Sequence, residues 1–152
     1  MSTLRTLAAA KLPVEIGTVA VGSDGSLTRH EAKPLRFRFV VGASQFQAEV
    51  IAGGHLVVRS VLGGMPYTAE GRERRIDLAH LIAESRRTLP RGEITVDARQ
   101  RVVLTVSEPL DTPLTPTEVV SVATHLALTA QPWIALGTAV AIPLSATARA
   151  TA

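Results

Sequence analysis

Cysteine is absent from the sequence, which excludes disulfides, thiolate catalysis and zinc or iron–sulfur sites built on cysteine. Asparagine is absent as well, so N-linked glycosylation has no acceptor. Long hydrophobic runs are also missing, because polar residues and Pro132 interrupt the longest apolar stretch, Val119 to Leu136. That stretch predicts a buried helix rather than a membrane span. We therefore expect a cytoplasmic protein with no membrane partner.

The composition that remains is typical of one globular domain. The chain has 152 residues, of which 46% are hydrophobic and 19% are charged, and its net charge is +3. A chain of this length can form a core without metal or disulfides. We expect a single domain over residues 1–137, beginning with a short helix over 1–12 and a hairpin over 14–33. A tail over residues 138–152, rich in small residues and partly disordered, is expected to follow.

Three segments alternate between apolar and polar residues, which is the pattern of strands with one buried face. They cover residues 35–41, 45–51 and 55–62, and glycine-containing turns separate them. Phe37 and Phe39 fall on the side that carries the other apolar residues of these strands. The pattern predicts an antiparallel meander with one packed face.

Helices and a second hairpin are expected after the meander. A charged loop over 70–75 leads to a segment, 78–89, whose apolar residues have helical spacing. Residues 93–107 alternate again and predict a hairpin. The run Thr115–Glu118 is a helix start signal, and Pro132 must kink or end the helix that follows. The chain therefore predicts an α+β domain, an antiparallel β-sheet formed by meander and hairpin, with helices packed mainly on one face.

No motif supports catalysis or a metal site. His80 and Glu84 share a helix face, as half of a metal or acid–base pair would, but a solvated or half-buried pair explains them too, and no further ligand lies at the right spacing. His125 is expected to be a hydrogen-bonded interior or interface residue. Gly53–Gly54 and Gly63–Gly64 lack the spacing of phosphate-binding loops and indicate turns. We expect a protein that is not an enzyme, with no cofactor and no metal.

Arginines are concentrated in the middle of the chain, with acidic residues interspersed among them. They indicate a solvated, ion-paired surface, a phosphate-binding patch or a contact for an acidic protein partner. Single-strand binding also needs aromatic side chains on an open sheet face, and the phenylalanines are expected to point the other way. The arginines are Arg72, Arg74, Arg75, Arg86, Arg87, Arg91, Arg99 and Arg101.

The side of the predicted meander that faces away from the helices is part apolar and part charged. Apolar surface of this kind tends to bind a partner chain or a second subunit. We therefore predict that it forms a partner or dimer surface, with another protein or a second copy of the chain as its partner. The predicted surface consists of Arg36, Arg38, Val40, Ile51, Val57, Arg59 and Val61.

The order of elements between Leu35 and about Leu136 resembles the YbjN-like family, which shares its fold with type III secretion chaperones. The resemblance is carried by the meander and by four further segments. These are Leu78–Ile82, Leu89–Asp97, Val102–Pro109 and Leu114–Glu118.

The resemblance implies a non-enzymatic, homodimeric module that captures a segment of another protein. An open sheet edge could also bind such a segment through main-chain hydrogen bonds. The alternative function is that of a nucleic-acid-associated accessory protein that uses its arginine-rich surface. The middle helix or the apolar run 140–144 could instead cover the exposed side of the sheet.

Overall fold

The computed structural model describes residues 19–21, 27–29, 34–69, 71–111 and 114–144. Along these residues the elements are β1 (Val19–Val21), β2 (Leu27–Arg29), β3 (Leu35–Val41), β4 (Ser44–Ile51), β5 (His55–Gly64), α1 (Arg72–Thr88), β6 (Gly92–Val96), β7 (Arg101–Pro109) and α2 (Pro116–Val140). The α+β class predicted from the sequence is therefore correct. The helix expected over residues 1–12 lies outside the described residues.

Five strands form one antiparallel sheet in the order β3-β4-β5-β7-β6. The first three are the predicted meander, and the last two are the predicted hairpin, joined to the meander through β5 and β7. The turn between β4 and β5 needs glycine, because Gly53 and Gly54 have φ angles of 90° and 74°. Strands β1 and β2 pair with each other in a separate two-stranded sheet, which agrees with the hairpin expected over residues 14–33.

The core lies between one face of the five-stranded sheet and the two helices. Phe37, Phe39 and Phe46 are all buried there, and the rings of Phe39 and Phe46 stack with centroids 5.2 Å apart. Helix α2 packs mainly on β5 and β7, and α1 packs on β6 and α2. The helices therefore cover one face of the sheet, as the sequence predicts, and all three phenylalanines point towards them.

Helix α1 begins earlier than the sequence pattern suggests. The expected loop over 70–75 is wrong from Arg72 onward, because arginine and glutamate are good helix formers and the Arg75 N–H already donates to the Gly71 carbonyl at 2.8 Å. Within the helix, the buried Ser85 accepts a hydrogen bond from the backbone N–H of Ile94 at 2.9 Å. This bond ties α1 to the outer edge of β6.

Helix α2 begins as predicted, with the Thr115 side chain accepting the Glu118 N–H at 3.2 Å. The Glu118 carboxylate accepts the N–H of Asp111 at 2.7 Å, so it binds the preceding loop rather than completing a capping box. Pro132 does not end the helix. By length and composition α2 could cross a membrane, with a mean hydropathy of 1.4 over 18 residues, a third of them buried. Its buried residues belong to the core between helix and sheet.

The chain after α2 returns to the end of the sheet. Helix α2 extends to Val140, and Ile142 then exchanges backbone hydrogen bonds with Gly64 at 2.8 and 3.0 Å. A Cβ at Gly63 would lie 2.6 Å from the Ile142 carbonyl oxygen, so glycine permits this approach. Residues 138–144 of the expected tail therefore belong to the fold, and residues 145–152 lie outside the described residues.

Candidate functional site

The face of the sheet opposite the helices, called the open face below, contains every residue of the predicted surface. Side chains alternate along each strand, so the residues between the core phenylalanines and valines point to this side. No described helix packs on it. Residues 140–144, one of the predicted covers, pair with the end of β5 instead.

The strand register places the charged members of the open face in two rows across the sheet. Arg36 lies opposite Glu49, which lies opposite Val57 on the next strand. Two residues further along β3, Arg38 lies opposite Gln47, and Gln47 lies opposite Arg59 on β5. Rows of this kind bring residues that are distant in sequence into contact distance.

The apolar members differ widely in their exposure. Val40 is 53% exposed and Ile51 is 38% exposed, whereas Val61 is half-buried. Val57 is only 8% exposed although no described helix covers it. Val57 lies on the central strand β5, with Glu49 opposite it on β4 and Ser107 opposite it on β7. Because the valine side chain is short, these two neighbours shield it from solvent. The exposed apolar residues of the predicted surface are therefore Val40 and Ile51, at opposite ends of the meander, whereas Val57 is buried.

Of the three arginines on β3 and β5, Arg36 is neutralised by Glu49, whereas Arg38 has no carboxylate partner among the described residues. The Glu49 Oε1 accepts hydrogen bonds from Arg36 Nε and Nη2 at 3.0 and 2.8 Å. Its Oε2 lies 3.8 Å from Arg59 Nη1, at the outer limit of an ion pair. Arg38 is exposed and forms neither an ion pair nor a side-chain hydrogen bond with any described residue. Positive charge is therefore available around Arg38 and Arg59.

A concavity of about 1120 Å³ extends from this part of the open face around the end of the sheet to the helix side. Arg38, Gln47, Arg59 and Thr105 line it on the open face, and Ile134, Thr138 and Leu144 line it beyond the end of the sheet.

The turn between β6 and β7 forms one corner of the concavity and is held by Asp97. The Asp97 carboxylate accepts the N–H groups of Arg99 and Arg101 and the Arg101 Nε, each at 2.8–2.9 Å. Partial burial acts to raise the pKa of Asp97, but hydrogen bonds from the Arg101 backbone and side chain and from the Arg99 backbone outweigh it, so the pKa is lowered. The lowered pKa favours the charged carboxylate, which forms an ion pair with Arg101.

Sequence reasoning missed the members of the open face that β7 contributes. Thr105 lies opposite Arg59, and Val103 opposite Val61. The local alternation does reveal which residues of β7 share a face. It does not reveal that β7 pairs with β5, because that pairing skips α1 and β6 in the sequence.

The described histidines lie apart from one another. His80 is exposed, and the Glu84 carboxylate pairs with Arg87 at 2.6 Å rather than with His80. His125 is exposed on α2, and the expectation of an interior residue is wrong, because the inward stripe of α2 falls on its neighbours Leu126 and Ala127. Among the described residues, no three histidine or carboxylate side chains gather as metal ligands would.

Four of the eight arginines in the middle of the chain pair with carboxylates of the described residues. Ion pairs join Arg86 to Glu93, Arg87 to Glu84, Arg91 to Glu108 and Arg101 to Asp97. This agrees with the ion-paired surface among the three alternatives. A phosphate-binding patch is less favoured, because the paired arginines have carboxylates in contact with them.

Comparisons of the chain with protein-family models, curated proteins and solved structures find no match. The resemblance to the YbjN-like family therefore stays a prediction from the sequence. The function has to be argued from the geometry of the open face.

Proposed function

We propose that this chain is a non-enzymatic, chaperone-like adaptor that captures a segment of a partner protein on the open face and acts as a homodimer. The observation that carries the proposal is the side of the five-stranded sheet that no described helix covers, where Val40 exposes apolar surface beside Arg38 and Ile51 exposes apolar surface at the other end of β4. Exposed apolar surface rimmed by polar residues is typical of protein interfaces.

We also propose that the α+β fold is of the type III secretion chaperone-like kind. Its support is the order of meander, helix, hairpin and helix, together with the residues that resemble the YbjN-like family. A segment could also bind at the outer edge of β3, since no described strand pairs there. The opposite edge, at β6, is already tied to α1 through Ser85.

A nucleic-acid function is the less favoured alternative. Proteins that bind single strands without sequence preference stack bases on aromatic side chains. Phe37, Phe39 and Phe46 are buried on the helix side of the sheet, and the described part of the open face has no aromatic residue. A titration with single- and double-stranded DNA at two salt concentrations distinguishes the functions, because a phosphate binder has a steep salt dependence.

The proposal is tested with the double variant Val40→Asp/Ile51→Asp. Two new carboxylates at the most exposed apolar positions of the open face should weaken either self-association, measured by sedimentation equilibrium, or partner capture from a lysate, because an apolar contact would bury unpaired charge. The expected loss in the affected affinity is at least tenfold.

The matched control is Leu128→Asp/Leu136→Asp on α2, whose side chains are exposed to a similar extent, 57% and 54%. It should leave both measurements within twofold of the wild type. Circular dichroism verifies that both variants fold. If Val40→Asp/Ile51→Asp is unchanged in both assays, the open face is not the interface and the proposal is wrong.

A further inference from the structure

We propose that Arg38 and Arg59 on the open face bind the carboxylates of an extended acidic segment of the partner protein. This inference rests on the proposed function and narrows the class of partner. Arg38, Gln47 and Arg59 lie side by side on three adjacent strands. Since neighbouring strands are separated by about 4.8 Å, the Cα atoms of the two arginines are about 10 Å apart, and both guanidinium groups can reach one segment.

Both guanidinium groups are available for a ligand. Arg38 has no carboxylate partner among the described residues, and the Arg59 side chain is 52% exposed with its nearest carboxylate oxygen 3.8 Å away. That oxygen belongs to Glu49, whose other oxygen binds Arg36 twice. Arginine–carboxylate pairs are strong and directional when two N–H groups of the guanidinium bind one carboxylate, and no described residue occupies these groups at Arg38.

The surroundings of the pair suit a peptide. The Gln47 amide lies between the two arginines and can donate to a carboxylate or to a main-chain carbonyl. Val40 and Val61 border the pair and offer apolar contacts for neighbouring side chains of the segment. The concavity above these residues has room for several residues of extended chain.

The geometry also sets the spacing of the acidic residues. In an extended chain, residues i and i+2 point to the same side and lie about 7 Å apart, whereas i and i+1 point to opposite sides. Two carboxylates at i and i+2 can each meet one guanidinium group. The preferred segment therefore contains the pattern Glu-x-Glu, or the same pattern with aspartate.

Two other occupants fit this pair less well. A second copy docked about a two-fold axis at Arg38 would place the same arginines against each other, and facing like charges are destabilising. A nucleic acid would find no phenylalanine, tyrosine or tryptophan on the described part of the open face on which to stack a base.

The test uses three 12-residue peptides, two of them identical in composition, and one oligonucleotide. One peptide has two glutamates at i and i+2, one has them at i and i+1, and one has both glutamates replaced by glutamine; the oligonucleotide is a 12-nucleotide single-stranded DNA. Each is titrated into the full-length protein, and binding is followed by fluorescence anisotropy and by amide chemical-shift changes. The i, i+2 peptide should bind at least tenfold more tightly than the glutamine peptide and threefold more tightly than the i, i+1 peptide. The shifts should be centred on Arg38, Gln47 and Arg59.

The protein variant Arg38→Gln/Arg59→Gln should lower the affinity for the i, i+2 peptide at least tenfold. The matched control Arg72→Gln/Arg74→Gln removes the same charge from exposed residues at the start of α1, away from the open face, and should change the affinity less than threefold. If both variants lose affinity equally, the effect is one of net charge and the proposed site is wrong. Tighter binding of the DNA than of the i, i+2 peptide, or no peptide binding at millimolar concentration, would also overturn it.

Failure of this inference and failure of the proposed function have different signatures. Suppose that partner capture depends on Val40 and Ile51 but not on Arg38 and Arg59. The open face then binds its partner through apolar contacts, and only the acidic segment is wrong. If capture is insensitive to both pairs of substitutions, the proposed function fails as well.

Discussion

A single hydroxyl group connects helix and sheet at the edge of this molecule. The sequence places Ser85 on the apolar stripe of α1, where the other residues are leucine and isoleucine. In the structure the Ser85 hydroxyl donates to the Ile82 carbonyl at 2.8 Å and accepts the Ile94 N–H at 2.9 Å. Because β6 is an edge strand, the Ile94 N–H on its outer side has no neighbouring strand, and the Ser85 hydroxyl is its acceptor.

We expect Ser85→Ala to lower the free energy of unfolding by about 1–3 kcal/mol, because the Ile94 N–H would be left buried without an acceptor. Urea denaturation measures the change. Thr88→Ala is the control, since the Thr88 hydroxyl bonds only to the exposed Glu84 carbonyl; its effect should be within about 0.5 kcal/mol. A Ser85→Ala protein as stable as the wild type would mean that water or a backbone shift replaces the hydroxyl.

Asp97 is expected to make stability depend on pH. Because its pKa is lowered in the folded state, its contribution to stability is fully present above the ordinary aspartate pKa of 3.8 and is lost as the pH falls through the lowered value. The difference in unfolding free energy between the wild type and Asp97→Asn should therefore be larger at pH 6 than at pH 3. Urea denaturation at both pH values gives this difference, and a constant difference would contradict the assignment.

At the scale of elements, the contact of α2 with β5 determines how closely helix and sheet pack. Gly137 lies directly against Leu62, and a Cβ at residue 137 would overlap the Leu62 Cδ1 atom. Both residues are buried, so Leu62 has little room to move away. The glycine in this helix is therefore needed for packing, in spite of its low helix propensity.

Gly137→Ala should destabilise the protein by about 1–3 kcal/mol, because overpacking outweighs the gain of about 1 kcal/mol in helix propensity. In a Leu62→Ala background the overlap disappears, and the same substitution should become neutral or stabilising. The change of sign is measured by urea denaturation of the four proteins. Additive effects of the two substitutions would refute the contact as the cause.

Elements were predictable from the sequence wherever the signal was local. Alternation located the strands of the meander and of the second hairpin, and the Thr115 cap located the start of α2. The start of α1 was missed because its first turn is charged on all sides and has no apolar stripe. The helix α2 continues through Pro132 because Ile134 and Gly137 pack against the sheet. Helix propensity alone does not predict such packing.

At the scale of the whole molecule, the sequence predicted which residues share the open face but not how exposed they are. Period-two alternation assigns a side to each residue of β3, β4 and β5, so the predicted surface was correctly placed on one face. Exposure depends on neighbours across strands. For this reason Val57, which is flanked on both sides, differs from Val40 near the sheet edge.

The strand order β3-β4-β5-β7-β6 has a consequence for how the chain folds. The β3–β4–β5 meander and the β6–β7 hairpin each form across short turns, so their internal pairings close quickly. The β5–β7 pairing is different, because closing it encloses all of α1 and β6 in a loop and costs more chain entropy. Pairing of β5 with β7 should therefore be the slow step of folding. Until it occurs, β5 at the edge of the meander and β7 at the edge of the hairpin are exposed to other chains.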